Sequence, residues 1–144
     1  CPFVINMKPA LAQFGTDYAG KLTIYAIGSN DVEAYPQDGP DCNREDKAKY
    51  GYPFPYLHDP EQTAARRFHA ACTPDFYLFD GDGKLVYRGQ FDDSRPGNDI
   101  EPDGRDLRAA CDAVLQGHLV SEKQKPSLGC NIKWIPGTEP DYFG

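Results

Sequence analysis

The apolar positions at the start of the chain recur every three or four residues. They are Phe3, Val4, Met7, Leu11, Phe14 and Tyr18. This spacing is that of one face of an α-helix and predicts a helix over residues 2–18. Pro2 suits the first helical position, where its missing N–H has no helical partner to lose. Pro9 removes an interior hydrogen bond, so we expect a kink in the helix there.

The middle of the chain alternates predicted strands with helices. Residues 21–29 form a short β-rich run whose continuous apolar character is typical of a buried strand. A polar helix is predicted over residues 41–50, and residues 52–57 form at best an edge strand because they contain two prolines. A further helix is predicted over residues 60–70, with Asp59 as its cap.

The clearest local signal is a β-hairpin. Residues 75–79 and 84–90 have strand character, and Asp-Gly-Asp-Gly at 80–83 is strong turn chemistry. A helix with one apolar face follows over residues 103–116, and the chain from Gly117 is predicted to be extended.

The order of these elements predicts an α/β fold, a mixed β-sheet flanked by helices. We divide the chain into a domain over residues 1–120 and an extended tail over residues 121–144 that packs on it. A helix in such a layer normally follows a strand, and the first helix here has none before it. We therefore expect the domain to be incomplete at its N-terminus in this sequence, with one or more strands absent.

Composition and charge narrow the functional classes. The chain has 144 residues, 40% of them hydrophobic, and a net charge of −7, which disfavours a nucleic-acid partner. No apolar run approaches the roughly 20 residues needed to span a bilayer, so we predict no membrane span. The compartment cannot be read from targeting signals; the cytoplasm is favoured, with an exported or periplasmic location as the alternative.

The chain contains five cysteines, so at least one thiol is free or pairs outside the chain. Their positions are Cys1, Cys42, Cys72, Cys111 and Cys130. None of the spacings is that of a zinc knuckle, and the three histidines lie far apart in sequence, so we predict no metal. No phosphate-binding glycine loop is present, and we predict no cofactor.

Cys1 directly precedes the first predicted helix. The thiolate is the reactive form of cysteine, and the helix dipole and unpaired N–H groups at this end favour negative charge. Such a placement can lower a cysteine pKa well below the free value of about 8.5. The alternative is a cysteine with no chemical role, and Cys-Pro alone favours that alternative.

Cys72, Thr73 and Pro74 stand immediately before the hairpin. The Thr73–Pro74 bond is a candidate cis peptide, which would expose the Thr73 backbone to a substrate or partner. Local sequence alone favours a trans proline at the start of an edge strand.

Taken together, several stretches resemble the thioredoxin-like superfamily, in particular its redoxin branch of alkyl hydroperoxide reductase and thiol-specific antioxidant proteins, and within it a bacterial thioredoxin-family group. They are CPFV at 1–4, SNDVEAYP at 29–36, GYPFPYL at 51–57, CTPDF at 72–76, LVYRGQ at 85–90, DDSRPGN at 92–98 and GCNIKW at 129–134. The resemblance covers nearly the whole chain and implies a thioredoxin-like fold.

The resemblance also implies an enzyme, a thiol–disulfide oxidoreductase or thiol-dependent antioxidant with Cys1, Thr73 and Pro74 at its site. Family members often carry a Cys-x-x-Cys or a single cysteine ending at the position of Cys1. Cys1 would be the resolving cysteine in the first case and the attacking one in the second, and both stay open. The implied partners are a protein disulfide or peroxide substrate and an external dithiol reductant such as a thioredoxin-type protein.

Two further thiols are candidates for a secondary redox role. Cys130 could fold back and resolve an oxidised Cys1, although a structural cysteine packed beside Trp134 is the favoured interpretation. Cys72 would adjoin Cys1 if Pro74 is cis, and could then be a redox partner or simply a packing residue.

The remaining candidates are weaker. Arg95 could polarise a peroxide or hold a thiolate, but a loop salt bridge to Asp92 or Asp93 is favoured. Cys111 lies on the apolar face of the last helix and is expected in the core, and Cys42 is expected to have no chemical role.

Two alternative functions stay open: a peroxiredoxin-like peroxide reductase, and a thioredoxin-fold binding module without turnover.

Overall fold

The computed structural model describes residues 1–143, which divide into two compact units. Unit 1 consists of Cys1–Phe14 with Cys72–Cys130, and unit 2 of Gly15–Ala71 with the residues from Asn131 on. Helices and small two-stranded sheets are mixed along the chain, so the protein has an α/β fold. No helix within residues 1–143 combines the length and the apolar character needed to cross a membrane.

The elements, in chain order, have the following bounds. The helices are α1 Pro2–Asp17, a 3-10 turn Pro36–Asp38, α2 Pro40–Tyr50, α3 Thr63–Arg67 and α4 Arg105–Leu115. The strands are β1 Ala26–Gly28, β2 Tyr56–His58, β3 Cys72–Thr73, β4 Phe76–Phe79, β5 Leu85–Gly89 and β6 Cys130–Asn131.

Helix α1 begins where the sequence predicts. Cys1 is the residue that precedes its first turn, and its carbonyl oxygen accepts the N–H groups of Val4 and Ile5 at 3.1 Å each. Pro9 lies inside the helix, which continues past it to Asp17. The predicted helix over residues 2–18 is confirmed to within one residue.

Unit 1 contains the antiparallel β4–β5 hairpin. Its turn is held by Asp80, whose Oδ1 accepts the N–H groups of Asp82 and Lys84 at 2.9 Å each, so the predicted turn is confirmed. After β5 the chain buries Phe91, which is 1% exposed and stacks on the Phe76 ring with a centroid distance of 5.3 Å. A Cβ atom at Gly104, directly before α4, would lie 2.6 Å from Phe91 Cζ, so the hairpin and the start of α4 pack on the same aromatic ring.

The start of α4 depends on a buried carboxylate. Asp92 is 2% exposed. Its Oδ2 accepts the N–H groups of Asp103 and Gly104 at 2.7 Å each, and its Oδ1 accepts the N–H of Ser94 at 2.8 Å. Three backbone donors that α4 and its loop would leave unpaired are thus satisfied by one side chain.

Residues 124–127 run along β5 and the residue that follows it. The hydrogen bonds are Gln124 Nε2 to Val86 O at 2.8 Å, Arg88 N to Gln124 Oε1 at 3.0 Å, Gln90 N to Lys125 O at 3.0 Å, and Ser127 Oγ to Gly89 O at 2.6 Å. A Cβ atom at Gly89 would lie 2.4 Å from Lys125 O, so the close approach requires glycine there. We call residues 124–127 the strap.

Unit 2 contains the parallel pair β1–β2, with α2 packed on β2. The strand predicted over residues 21–29 is only Ala26–Gly28, and the turn that follows α1 occupies its first two predicted residues. Lys21 and Leu22 both donate their N–H groups to Tyr18 O, and Gly20 has a φ of +76°. The prediction of a longer, buried strand is therefore wrong, since the strand has three residues and its Ile27 is 43% exposed.

Helix α3 begins later than predicted, at Thr63 rather than residue 60. Gln62, with a φ of 59°, is fully buried and donates its side-chain amide to Ser29 O and Lys133 O at 2.8 Å each. Because Gln62 is left-handed, a right-handed helix cannot run through it, and Pro60 therefore lies outside α3. Asp59 still serves the N-terminal turn, since its Oδ2 accepts the N–H of Ala65 at 3.1 Å.

Candidate functional site

The thiol of Cys1 is exposed at the start of α1. Its Sγ lies 3.4 Å from the carbonyl oxygen of Thr73, to which the thiol donates a hydrogen bond. The Thr73–Pro74 peptide bond is cis, the state that local sequence disfavours. The structure therefore brings together the three residues that the sequence assigns to the site.

A second thiol lies against the first. The Sγ of Cys130 is 2.8 Å from the Sγ of Cys1, although 129 positions separate the two residues along the chain. Both cysteines are free thiols, and a covalent S–S bond is about 2.05 Å long. Cys130 is partly buried and Cys1 is exposed, so the pair opens to solvent on the Cys1 side.

Gly129 is a site residue that sequence reasoning missed. A Cβ atom at this position would lie 1.9 Å from Thr73 O and 2.6 Å from Thr73 C. Only glycine lets the chain pass this close to the Thr73 carbonyl, and the next residue is Cys130. The one sequence signal was the glycine that directly precedes a cysteine in the tail.

The strap brings the chain to this point. Ser127 lies two residues before Gly129, and its hydroxyl donates to Gly89 O. Its Lys125 ammonium lies 2.8 Å from the Asp93 carboxylate. Hydrogen bonds from Lys125 and Gln90 hold the pKa of the exposed Asp93 side chain below its usual range.

Cys72 lies close to the thiol pair, but the thiol in contact with Cys1 is that of Cys130. The Cys72 Sγ points to Pro74 O at 3.7 Å and Ser127 O at 3.8 Å. Burial raises the pKa of the Cys72 thiol to about 11, with a further contribution from the Asp75 carboxylate. Cys72 is therefore protonated at neutral pH and a poor nucleophile.

Cys111 is 1% exposed on α4, and burial raises its pKa to about 12. This confirms the expected core position. Cys42 lies on α2 in unit 2, with its Sγ 4.0 Å from Pro36 O.

Arg95 is fixed by oxygen acceptors at the edge of a shallow cleft that Phe3 and Pro74 also line. Its Nη1 donates to Asp92 O at 2.9 Å and to Ser94 O at 2.7 Å. The bond to Asp92 reaches the backbone oxygen and not the carboxylate, whose Oδ1 accepts the N–H of Ser94 and whose Oδ2 accepts the N–H groups that precede α4. The favoured interpretation, a loop salt bridge from Arg95 to Asp92 or Asp93, is therefore wrong: Arg95 bonds to the main chain of Asp92, and the Asp93 carboxylate pairs with Lys125.

Within residues 1–143 no group of three or more histidine, cysteine or acidic side chains is arranged to hold a metal ion. What the site offers chemically is two adjacent thiols and a carbonyl acceptor.

Two solved structures share this fold and much of the sequence. A hypothetical protein from Sinorhizobium meliloti 1021 is 53% identical, with a TM-score of 0.93, and the match covers 95% of this chain and 75% of that one. The chain belongs to the same protein family. An uncharacterized conserved protein from Geobacillus kaustophilus, also 53% identical, gives a TM-score of 0.91 over 94% of this chain and 72% of that one. No protein-family model and no curated protein matches the chain.

The thiol environments predict an order of alkylation. In the folded, reduced protein at pH 8, we expect iodoacetamide to modify exposed Cys1 well before Cys72 and Cys111. A pKa of about 11 leaves Cys72 with a thiolate fraction roughly two hundred times smaller than that of an ordinary thiol. Peptide mass spectrometry over a time course measures the order, and denaturation with guanidinium should remove it. Equal alkylation rates for Cys1 and Cys72 in the folded protein would contradict the conclusion that Cys1 is the accessible, reactive thiol and Cys72 a protonated one.

Proposed function

We propose that the protein is a thiol–disulfide oxidoreductase of the thioredoxin-like class, with Cys1 as the reacting residue. One observation carries the proposal: the exposed Cys1 sulfur stands at the start of α1, against the Thr73 carbonyl and a second thiol. The helix start favours negative charge on sulfur, which is the nucleophilic form.

The arrangement of the surrounding elements supports the thioredoxin-like class. Thr73 and Pro74 lead directly into the β4–β5 hairpin, and α4 follows. This is the order on which the family resemblance of the sequence rests. A cysteine distant from α1, or from Thr73, would have removed that support.

The reaction proceeds by thiol–disulfide exchange. The Cys1 thiolate attacks one sulfur of a substrate disulfide, the substrate S–S bond breaks, and the released thiolate takes a proton from solvent. The other substrate sulfur has then left as a thiol, and Cys1 is joined by a mixed disulfide to the sulfur that it attacked. A second thiolate attacks the Cys1 sulfur, frees that substrate thiol and forms a new disulfide, which an external dithiol of the thioredoxin type reduces while it is itself oxidised.

Thr73 acts as a positioning residue. Its carbonyl oxygen accepts the Cys1 thiol at 3.4 Å and so orients the sulfur before it is deprotonated. Because the acceptor is a backbone atom, the identity of the Thr73 side chain does not enter this contact.

Replacing Cys1 with serine tests the proposal. We expect wild-type protein to reduce a protein disulfide such as insulin with dithiothreitol as electron donor, and Cys1→Ser to fall to the uncatalysed rate because a serine hydroxyl cannot form the mixed disulfide. Turbidity of reduced insulin reports the rate. Cys42→Ser, on α2 in unit 2, is the matched control and should retain full activity.

Two other results would replace the proposal. Peroxide consumption by the wild type that is fast while insulin reduction stays at background would identify the peroxidase alternative. No turnover of either substrate would favour a binding module.

A further inference from the structure

We infer that Cys130 is the second redox residue of this site, and that Cys1 and Cys130 form a reversible intramolecular disulfide. The catalytic meaning of this pair rests on the proposed function, whereas the pairing itself rests on the geometry alone.

The positions of the five thiols single out this pair. Cys130 Sγ is 2.8 Å from Cys1 Sγ, while the Cys72 thiol points to two backbone oxygens, Cys111 is 1% exposed, and the Cys42 Sγ lies against Pro36 O at 4.0 Å. Cys1 is exposed, so a reductant can reach the sulfur of a disulfide between them.

The chain before Cys130 is held in place independently of any disulfide. The strap makes four hydrogen bonds to β5 and Gln90, and Gly129 fits against the Thr73 carbonyl with no space for a side chain. Two groups that are already oriented react far faster than two that must first meet, so the fold prepares the sulfur pair for bond formation.

Cys130 supplies the second thiolate of the exchange reaction. With Cys1 joined to a substrate sulfur, the Cys130 thiolate attacks Cys1 Sγ, the bond to the substrate breaks, and the substrate leaves as a thiol after taking a proton. If a peroxide had oxidised Cys1 to a sulfenic acid, the same attack would form the disulfide and release water. An external dithiol returns the two electrons in either case.

Disulfide mapping tests the pairing. Reduced protein is treated with diamide, which accepts two electrons and two protons, then blocked with N-ethylmaleimide, digested and analysed by mass spectrometry without reduction. We expect the Cys1 and Cys130 peptides joined, and joined still in Cys72→Ser. Recovery of both peptides as maleimide adducts, or of Cys1 joined to Cys72, would overturn the inference.

Turnover separates this inference from the proposed function. We expect Cys130→Ser to form the mixed disulfide between Cys1 and substrate at the wild-type rate but to lose at least about tenfold in steady-state insulin reduction, because the intramolecular attack is gone. Cys130→Ala, with circular dichroism to verify folding, should give the same result.

The two ideas fail in different ways. Full steady-state activity in Cys130→Ser together with none in Cys1→Ser would reject the role of Cys130 and leave Cys1 as the reacting residue. A mapped Cys1–Cys130 disulfide in a protein without any turnover would reject the proposed function and leave the pair.

Discussion

Gly129→Ala is expected to abolish formation of the Cys1–Cys130 disulfide and to lower the free energy of unfolding by about 3 kcal/mol. The added Cβ would lie 1.9 Å from the Thr73 carbonyl oxygen, a backbone atom of the segment that faces Cys1. The overlap cannot be relieved by a side-chain rotation, so the chain at residue 129 has to move away and take the Cys130 sulfur with it.

Diamide oxidation followed by mapping, and a guanidinium titration, measure the two effects. Gly81→Ala is the matched control: a Cβ there meets no atom within 4 Å, so both readouts should stay close to wild type. Wild-type disulfide yield in Gly129→Ala would show that the close approach to Thr73 does not position Cys130.

Asp92→Ala is expected to lower the free energy of unfolding by about 4 kcal/mol. The carboxylate is 2% exposed and accepts three backbone N–H groups, from Ser94, Asp103 and Gly104. Each buried donor left unpaired costs about 1–3 kcal/mol, and water entering the space left by the side chain recovers part of that. The loss acts on the start of α4 and on the loop that holds Arg95.

Asp92→Asn should have about half the effect, since one oxygen remains to accept N–H groups while the amide NH₂ faces a donor. Asp99→Asn is the control, because Asp99 is exposed and its left-handed φ of 59° suits asparagine as well. Chemical denaturation of the three variants gives the ranking. A wild-type denaturation midpoint for Asp92→Ala would contradict the conclusion that the Asp92 carboxylate stabilises the start of α4.

The elements that are formed by interactions between near neighbours in the chain could be predicted from the sequence alone. The apolar face over residues 2–18 and the Asp-Gly-Asp-Gly turn each predicted an element to within about one residue, because helix periodicity and turn hydrogen bonds are formed between near neighbours. Helix α4, predicted over 103–116, is observed at Arg105–Leu115, within two residues at its start and one at its end.

Predictions failed where distant residues decide the conformation. Gln62 is left-handed because its amide bridges Ser29 O and Lys133 O, and nothing near it in sequence indicates those partners. The contact of Cys130 with Cys1 likewise depends on the strap and on Gly129, and sequence reasoning favoured a packing role for Cys130. The residues of the site were identifiable from cysteine chemistry, whereas their pairing required the long-range contacts.

The strap also determines what β5 presents to other molecules. A strand at the edge of a sheet exposes unpaired N–H and C=O groups that can template association with another chain. Here Val86 O, Arg88 N, Gly89 O and the adjoining Gln90 N are occupied by residues 124–127. The four residues that lead the chain toward Cys130 thus also shield this edge from self-association. Detachment of the strap would therefore separate the Cys130 sulfur from Cys1 and expose an aggregation-prone strand edge in the same event.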